Sequence, residues 1–344
     1  MEHELICFVA LMTGTNKFHS LLCRLDSNLR LEPAIGLIAT AMGRSRTLIR
    51  DALNPRAPLA QSGLIRVDPD FSDLLCGFNC IEGLENILMR PYASRAELTA
   101  AFLHQPPAGN LSLEDFEHLR VDANLLLAYL GGALERGDPG TNILLYGPPG
   151  VGKTEFTLAL ARKLDARIYE VRTEDADGDS PTRDARLSSY MLGQRFLCKT
   201  PRAMLLFDEI EDVFGEPGYA PRSGRGTQPL SKAWVNRLLE SNPVPAVWIT
   251  NSLCQMDPAF RRRFDYCLEF PRPPLQTRRR FVQDLLTPLG IGRKVTDVMA
   301  TDEYLSPAIV QKARKLVVRA GKAPAEQRNE MALLVYRNAS RVLG

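Results

Sequence analysis

The sequence has few of the residues that build metal sites and disulfide frameworks. It contains four histidines and an odd number of cysteines, seven, scattered along 344 residues. The one close cysteine pair, Cys76 and Cys80, is followed by no second pair, which disfavours zinc ligation relative to simple packing. Scattered, unpaired thiols are typical of a reducing compartment, and we therefore predict a cytoplasmic protein.

Neither sign of charge dominates, and no apolar run is long enough to cross a membrane. The 43 basic residues are offset by 40 acidic ones, which leaves a net charge of +3, so the overall field does not indicate non-specific nucleic-acid binding. The apolar run near the N-terminus follows acidic residues, whereas a secretory signal requires positive charge there. We expect no membrane partner.

Apolar and helical patterns predict four regions. Residues 1–70 predict a mainly helical N-terminal domain, 71–114 a helical linker region, 115–272 an α/β core and 273–344 a small helical lid. The core is predicted from short apolar runs without clean alternation, which is typical of strands in a parallel sheet covered on both faces. The five runs predict a five-stranded parallel sheet and are NILLYG, RIYEVR, AMLLFDE, AVWITN and YCLEFP.

Within the N-terminal region, residues 34–67 have helical spacing that breaks at Gly43 and ends in an extended run. A helix, a glycine turn, a second helix and a strand are compatible with a winged helix, which could dock on DNA. The alternative is a pair of ordinary amphipathic helices with a solvated basic face. The candidate DNA contacts are Arg44, Arg46 and Arg50.

The segment LLYGPPGVGKTEF predicts a strand, a glycine loop and a helix that together bind nucleotide phosphates. Glycines allow backbone N–H groups to approach phosphate oxygens, and the helix adds its positive end. Lys153 is expected to reach the β and γ phosphates, and the Thr154 hydroxyl to hold Mg²⁺. The expected nucleotide contacts are Gly147, Pro148, Pro149, Gly150, Val151, Gly152, Lys153, Thr154 and Glu155.

Two further apolar runs end in polar side chains. Asp208 and Glu209 close the run AMLLF, where one carboxylate can complete a magnesium shell and the second can polarise water; these roles fall to Asp208 and Glu209 respectively. Asn251 ends the run AVWIT at the same predicted edge of the sheet, where ligands of open α/β folds gather. For Asn251 an Asx turn is the competing interpretation.

In this order GPPGVGKT, LLFDE, ITN and DPAFRRRFD resemble an AAA+ ATPase, nearest to the branch that includes spastin, katanin and the membrane-protease and proteasomal ATPases. The resemblance covers about residues 115–344. It implies an ATP-binding Walker A motif at Gly147 to Thr154, a Walker B motif at Asp208 and Glu209, and a sensor at Asn251.

The resemblance also implies a role for the arginines that follow the Asp-Pro turn. In these ATPases such arginines reach the nucleotide of a neighbouring subunit, and Arg262 and Arg263 match that position best. Three adjacent guanidinium groups cannot all be buried in their own core, whereas a phosphate supplied by a second subunit satisfies them. The resemblance therefore implies a homo-oligomeric ring, a hexamer, with ATP and Mg²⁺ as cofactors.

The sequence thus predicts an ATP hydrolase that remodels an unidentified protein client. A nucleic-acid-associated ATPase and a nucleotide-controlled scaffold are the alternatives. The expected position of the first pore loop carries acidic residues at 174–179 instead of the aromatic pattern of threading enzymes. That loop is either a solvated loop or a contact for a basic partner.

Overall fold

The structure is a computed structural model of the chain. It describes residues 2–15, 21, 30–54, 56–57, 59–60, 64–67, 77–80, 84–173, 181–214, 232–254, 256–305, 307–321 and 324–343. The acidic segment 174–179, which was predicted to occupy the pore-loop position, lies outside these residues. The chain forms two compact units, one from Met1–Gln105 and Tyr169–Thr200 and the other from Pro106–Ile168 and Pro201–Gly344.

The described elements follow one another as helices, strands and short 3-10 turns. The strands are β1 (Ile65–Val67), β2 (Phe78–Cys80), β3 (Leu103–His104), β4 (Asn142–Tyr146), β5 (Arg167–Val171), β6 (Ala203–Phe207), β7 (Ala246–Thr250) and β8 (Tyr266–Glu269). The 3-10 helices are Leu113–Leu119 and Thr287–Leu289. The α-helices are α1 (Glu2–Gly14), α2 (Leu31–Met42), α3 (Arg46–Leu53), α4 (Leu84–Leu88), α5 (Arg95–Ala100), α6 (Arg120–Arg136), α7 (Lys153–Lys163), α8 (Arg183–Leu197), α9 (Glu211–Phe214), α10 (Lys232–Glu240), α11 (Pro258–Arg261), α12 (Leu275–Leu286), α13 (Arg293–Thr301), α14 (Pro307–Arg319) and α15 (Ala325–Leu343).

The first unit contains the predicted pair of helices with a glycine turn between them. Helix α2 ends at Gly43, whose φ of 61° is left-handed and therefore favours glycine. Helix α3 starts after Ser45, whose hydroxyl accepts a hydrogen bond from the Leu48 N–H and caps the helix. Strands β1 and β2 pair antiparallel. The winged-helix assignment itself stays a prediction.

The basic side chains of this helix pair are largely neutralised within the unit. Arg44 pairs with Glu4 at 2.8 Å, and Arg50 pairs with Glu32 at 2.5 Å. A guanidinium that already has a carboxylate partner must give it up before it can contact a DNA phosphate. Both ion pairs are exposed, and exposed pairs contribute little to stability. Arg44 and Arg50 as DNA contacts therefore stay a prediction.

All five apolar runs predicted as strands form strands, and they belong to one six-stranded sheet with the order β3-β5-β6-β7-β4-β8. Strand β4 pairs parallel with both β7 and β8, and β6 pairs parallel with β7. The sixth strand, β3, was not predicted and runs antiparallel to β5. Because β6, β7 and β4 are neighbours and parallel, their carboxyl ends meet at one edge of the sheet.

The second unit has two apolar cores. In the α/β part, Phe116, Phe156 and Phe270 pack edge to face, with ring centroids 5.1 to 5.2 Å apart for the two pairs that include Phe156. In the helical part, Val282, Met299 and Val310 are among the fully buried residues that join α12, α13 and α14. The predicted helical lid is therefore a packed cluster with a core of its own.

Candidate functional site

The loop between β4 and α7 has a backbone that only glycine adopts easily. Gly147, Gly150 and Gly152 have φ angles of 143°, 76° and 98°. A Cβ at position 147 would lie 2.3 Å from the Phe270 carbonyl oxygen, and one at position 152 would lie 3.1 Å from the Phe116 ring. The loop leads straight into the first turn of α7, which is the arrangement that binds phosphate through backbone N–H groups.

Lys153, the first residue of α7, is held inside this loop. Its side chain is only 5% exposed, and Nζ donates to the carbonyl oxygens of Gly147 at 2.6 Å and Pro148 at 2.8 Å and to Asn251 Oδ1 at 3.0 Å. Burial lowers the pKa of the Lys153 ammonium, an effect that the charges of Asp208 and Glu211 oppose. The structure thus brings together the predicted phosphate-binding lysine and the predicted sensor asparagine.

The two predicted magnesium ligands also lie together. Thr154 Oγ1 donates to Asp208 Oδ2 at 2.8 Å, although the residues are 54 positions apart. A hydroxyl and a carboxylate oxygen at this separation form the hard oxygen donor set that Mg²⁺ prefers. The residues present in the first turn of α7 and directly after β6 therefore fit the ion.

Glu209 follows Asp208 with a strained backbone. Its φ of 54° is left-handed, which costs a non-glycine residue about 1–2 kcal/mol. Its backbone N–H donates to Asp208 Oδ1 at 2.8 Å, and the residue is exposed. Strain of this kind is concentrated at functional sites, and here it holds a carboxylate next to the predicted metal ligand Asp208.

Glu211 also belongs to this group, although no sequence pattern predicted it. Its Oε1 accepts a hydrogen bond from the backbone N–H of Asn251, while its Oε2 is buried and has no hydrogen-bond partner among the described residues. Glu211 therefore ties the end of β7 to the segment that follows β6. The signal that could have found it is the third acid in the run DEIE.

The three arginines after the Asp-Pro turn have different surroundings. Arg261 donates to the carbonyl oxygens of Leu253 at 2.6 Å and Met256 at 2.8 Å, so it stabilises its own turn. Arg263 pairs with the carboxylate of Glu240 at 2.5 Å. Within the described part of the chain the Arg262 side chain is exposed and makes no ion pair or hydrogen bond. No described hydrogen bond or ion pair joins Arg262 or Arg263 to the Lys153 group.

A cavity of about 200 Å³ adjoins the glycine loop in the second unit. The segment before α6, the glycine loop and the helical lid each contribute apolar side chains to its wall. His118 also lines the cavity. Burial lowers the pKa of His118, which favours its neutral form. Other members of the wall are polar and include Glu114, Arg278 and Asp284. A cavity next to a phosphate loop that combines apolar side chains with a few polar groups suits a planar base. Sequence patterns gave no indication of this wall, whose members include Leu111, Phe116, His118, Val151, Phe281 and Val310.

These features define a P-loop nucleotide-binding α/β fold with a helical lid. The family model described as ATPase family associated with various cellular activities (AAA) matches residues 143–272. The match confirms the resemblance drawn from the motifs for residues 143–272.

Curated relatives match the chain over about half of its length. ATPase family gene 2 protein homolog B of Mus musculus is 30% identical over 191 residues, which cover 54% of this chain and 24% of that protein. The 26S proteasome regulatory subunit 6B homolog of Encephalitozoon cuniculi (strain GB-M1) is 27% identical over 210 residues, 56% of this chain and 52% of that protein. The chain therefore spans about a quarter to a half of the length of these relatives.

Among solved structures, a chain of the E. coli MS115-1 HORMA:CdnC:Trip13 complex aligns with a TM-score of 0.45 and 18% identity, covering 66% of this chain and 90% of that one. Among the described helices, none combines the length and the apolar character needed to cross a membrane.

Proposed function

We propose that this chain is a magnesium-dependent ATP hydrolase of the AAA+ type that works in a ring and remodels a protein client. The observation that carries the proposal is the convergence of Lys153, Thr154, Asp208 and Asn251 at the carboxyl edge of three adjacent strands. Glycine loop, buried lysine, hydroxyl and carboxylate are the parts that phosphoryl transfer to water requires. The match of residues 143–272 to an ATPase family model supports the same activity.

Lys153, Glu209 and Asn251 have different proposed roles in hydrolysis. Lys153 offers three N–H donors at the mouth of the loop and would exchange its carbonyl partners for phosphate oxygens. Glu209, exposed beyond β6, would orient and polarise the attacking water. Asn251, which bonds Lys153 through Oδ1, would keep the lysine aligned and offer its amide N–H to the water or the terminal phosphate.

Thr154 and Asp208 would hold Mg²⁺, which neutralises charge on the phosphates when bound. The part of the cavity wall that carries Phe116 and His118 would receive the base of ATP. Catalysis in such a site comes mostly from positioning and electrostatic stabilisation, because phosphoryl transfer needs little covalent assistance from the protein.

Arg262 is the arginine that we propose to act in a neighbouring copy. Arg261 is committed to its own turn and Arg263 to Glu240, whereas the exposed Arg262 can reach an anion outside its own chain. An arginine supplied in this way adds roughly a thousandfold or more to the rate of hydrolysis. The proposal therefore includes a homo-oligomer, with a hexameric ring as its expected form.

The proposal also covers the client and the compartment. Names such as proteasome regulatory subunit support a protein client and a cytoplasmic setting. We propose that the N-terminal unit captures the client. DNA docking is the less favoured alternative, because Arg44 and Arg50 pair with carboxylates of their own unit.

The test is phosphate release from ATP by the full chain, with Mg²⁺ and with excess chelator. We expect hydrolysis that requires Mg²⁺ and is abolished by Lys153→Ala. The matched control is Lys163→Ala, which removes an exposed cation from the other end of the same helix. Hydrolysis that survives Lys153→Ala, or that ignores the chelator, would contradict the proposed site.

A further inference from the structure

The segment that precedes the cavity wall is fastened to helix α7 by two charged side chains. Glu155 Oε2 accepts hydrogen bonds from the backbone N–H groups of Asn110 at 2.9 Å and Leu111 at 3.2 Å. Arg162 donates to the carbonyl oxygen of Gly109 at 2.8 Å and also to that of Leu111. A carboxylate therefore binds two N–H groups and a guanidinium binds two carbonyl groups of the same three-residue stretch.

The spacing of the two side chains explains how they reach one strip of backbone. Glu155 and Arg162 are seven residues apart, which is about two turns of α-helix, so both lie on the same face of α7. Gly109 completes the contact because a Cβ there would lie 2.8 Å from Glu155 Oε2 and 3.0 Å from Leu158 Cβ. We call Gly109, Glu155 and Arg162 the α7 clamp.

The clamped stretch runs directly into the wall of the cavity. Leu111 itself lines the cavity. Ser112 then starts the 3-10 helix with a reciprocal capping box, in which its N–H donates to Asp115 Oδ2 at 2.8 Å. That helix carries Phe116 and His118 into the wall, and Phe116 packs against Gly152 of the phosphate loop.

The same turn of α7 thus holds two parts of the site. Thr154 contacts the metal ligand Asp208, and the next residue, Glu155, contacts the stretch that leads to the wall. The carboxylate of Glu155 is occupied by backbone N–H groups, and the nucleotide contact expected of this residue from the glycine-loop pattern stays a prediction.

We propose that Glu155 and Arg162 are positioning residues for ATP binding, which set the cavity wall at a fixed distance from the phosphate loop. The inference rests on the proposed function and adds to it the residues that determine how tightly the base end of the nucleotide is held. Preorganisation of this kind improves binding because less of the site must be ordered when the ligand arrives. Such preorganisation contributes little to the chemical step of hydrolysis.

The experiment measures KM and kcat for ATP with the full chain carrying Glu155→Ala, Arg162→Ala or both. Loss of a charge-assisted hydrogen-bond pair predicts a KM that rises roughly tenfold, with a much smaller change in kcat. The double variant should resemble the single ones, because both side chains fasten the same stretch. Lys163→Ala is the matched control and should keep the wild-type KM.

Glu155→Gln separates positioning from a merely structural effect. Its amide oxygen can still accept from Asn110 and Leu111, so we expect a KM between those of the wild type and Glu155→Ala. Melting temperatures of all variants, compared with that of the wild type, show whether a variant that loses activity has unfolded. If Glu155→Ala has unfolded, Glu155→Gln and Arg162→Ala provide the test.

Unchanged KM in the folded variants, or equal loss of kcat and kcat/KM, would overturn the inference while leaving the proposed function intact. A wild-type chain that binds no ATP in the presence of Mg²⁺ would remove the proposed function, and this inference with it.

Discussion

Thr154 Oγ1 lies 2.8 Å from Asp208 Oδ2, so the hydroxyl in the first turn of α7 and the carboxylate that follows β6 form one pair of oxygen atoms, which we propose as ligands of Mg²⁺. Mg²⁺ dehydrates reluctantly and is usually bound by one or two protein side chains together with water and substrate phosphates, so a small number of oxygen donors in a fixed geometry is sufficient. The parallel pairing of β6, β7 and β4 provides that fixed geometry.

From this pair we predict that Asp208→Asn raises the Mg²⁺ concentration needed for half-maximal hydrolysis by roughly 10–100-fold. An amide oxygen keeps one ligand atom but removes the negative charge that attracts the ion. A magnesium titration of phosphate release measures the shift. Asp165→Asn, an exposed carboxylate-to-amide change after α7, is the matched control, and an equal shift in both variants would contradict the assignment.

The glycine loop yields a prediction about stability. Gly147→Ala should lower the free energy of unfolding by roughly 3 kcal/mol or more, since it combines an unfavourable φ with a Cβ 2.3 Å from the Phe270 carbonyl oxygen. Gly137→Ala is the control, because its φ is 68° and its Cβ would meet nothing within 4 Å. We expect it to cost only about 1 kcal/mol. Denaturant unfolding of both variants is the measurement, and equal losses would show that the close approach is unimportant.

Substitutions of Arg262 and Arg263 should differ in their effect on the rate of hydrolysis. Arg262→Ala should reduce kcat roughly a thousandfold if its side chain completes a neighbouring site, and it should leave the melting temperature unchanged. Arg263→Ala should affect hydrolysis less, since the Arg263 guanidinium already pairs with Glu240. It should lower stability by only about 0–1 kcal/mol, because that pair is exposed on both sides, 42% and 52%.

Mixing tests whether Arg262 acts between copies. Inactive Lys153→Ala chains mixed with inactive Arg262→Ala chains should recover part of the wild-type rate, because some neighbouring pairs then combine an intact loop with an intact arginine. Recovery should depend on the mixing ratio and vanish when both substitutions are in one chain. Absence of recovery at every ratio would count against a shared site.

Much of the site was predictable because each motif is local. The glycine loop, Asp208 and Asn251 each follow an apolar strand, and the parallel sheet converts three distant strand ends into one cluster. The strand β3 could not be predicted in this way, since it has only two residues and exists through its pairing with Val171 and Glu170. Its stability comes from a partner distant in sequence, which local patterns do not contain.

The surroundings of the site depended equally on tertiary contacts. Three consecutive arginines look equivalent in the sequence, yet carbonyl groups of Leu253 and Met256 hold Arg261 and a carboxylate on α10 holds Arg263. The role of Glu155 was likewise hidden, because the N–H groups that it binds lie 44 and 45 residues earlier. Such partners are fixed by the fold, and no pattern around the residue identifies them.

The most direct measurement compares ATP binding and ATP hydrolysis in Glu209→Gln. The amide keeps the size of the side chain but cannot polarise water, while Lys153, Thr154 and Asp208 remain in place. We predict that the variant binds ATP in the presence of Mg²⁺ with an affinity close to that of the wild type and releases phosphate at least a hundredfold more slowly, a loss at the lower end of the effect of a general base. A variant that hydrolyses ATP at the wild-type rate would contradict the assignment of this group of residues as the site of hydrolysis.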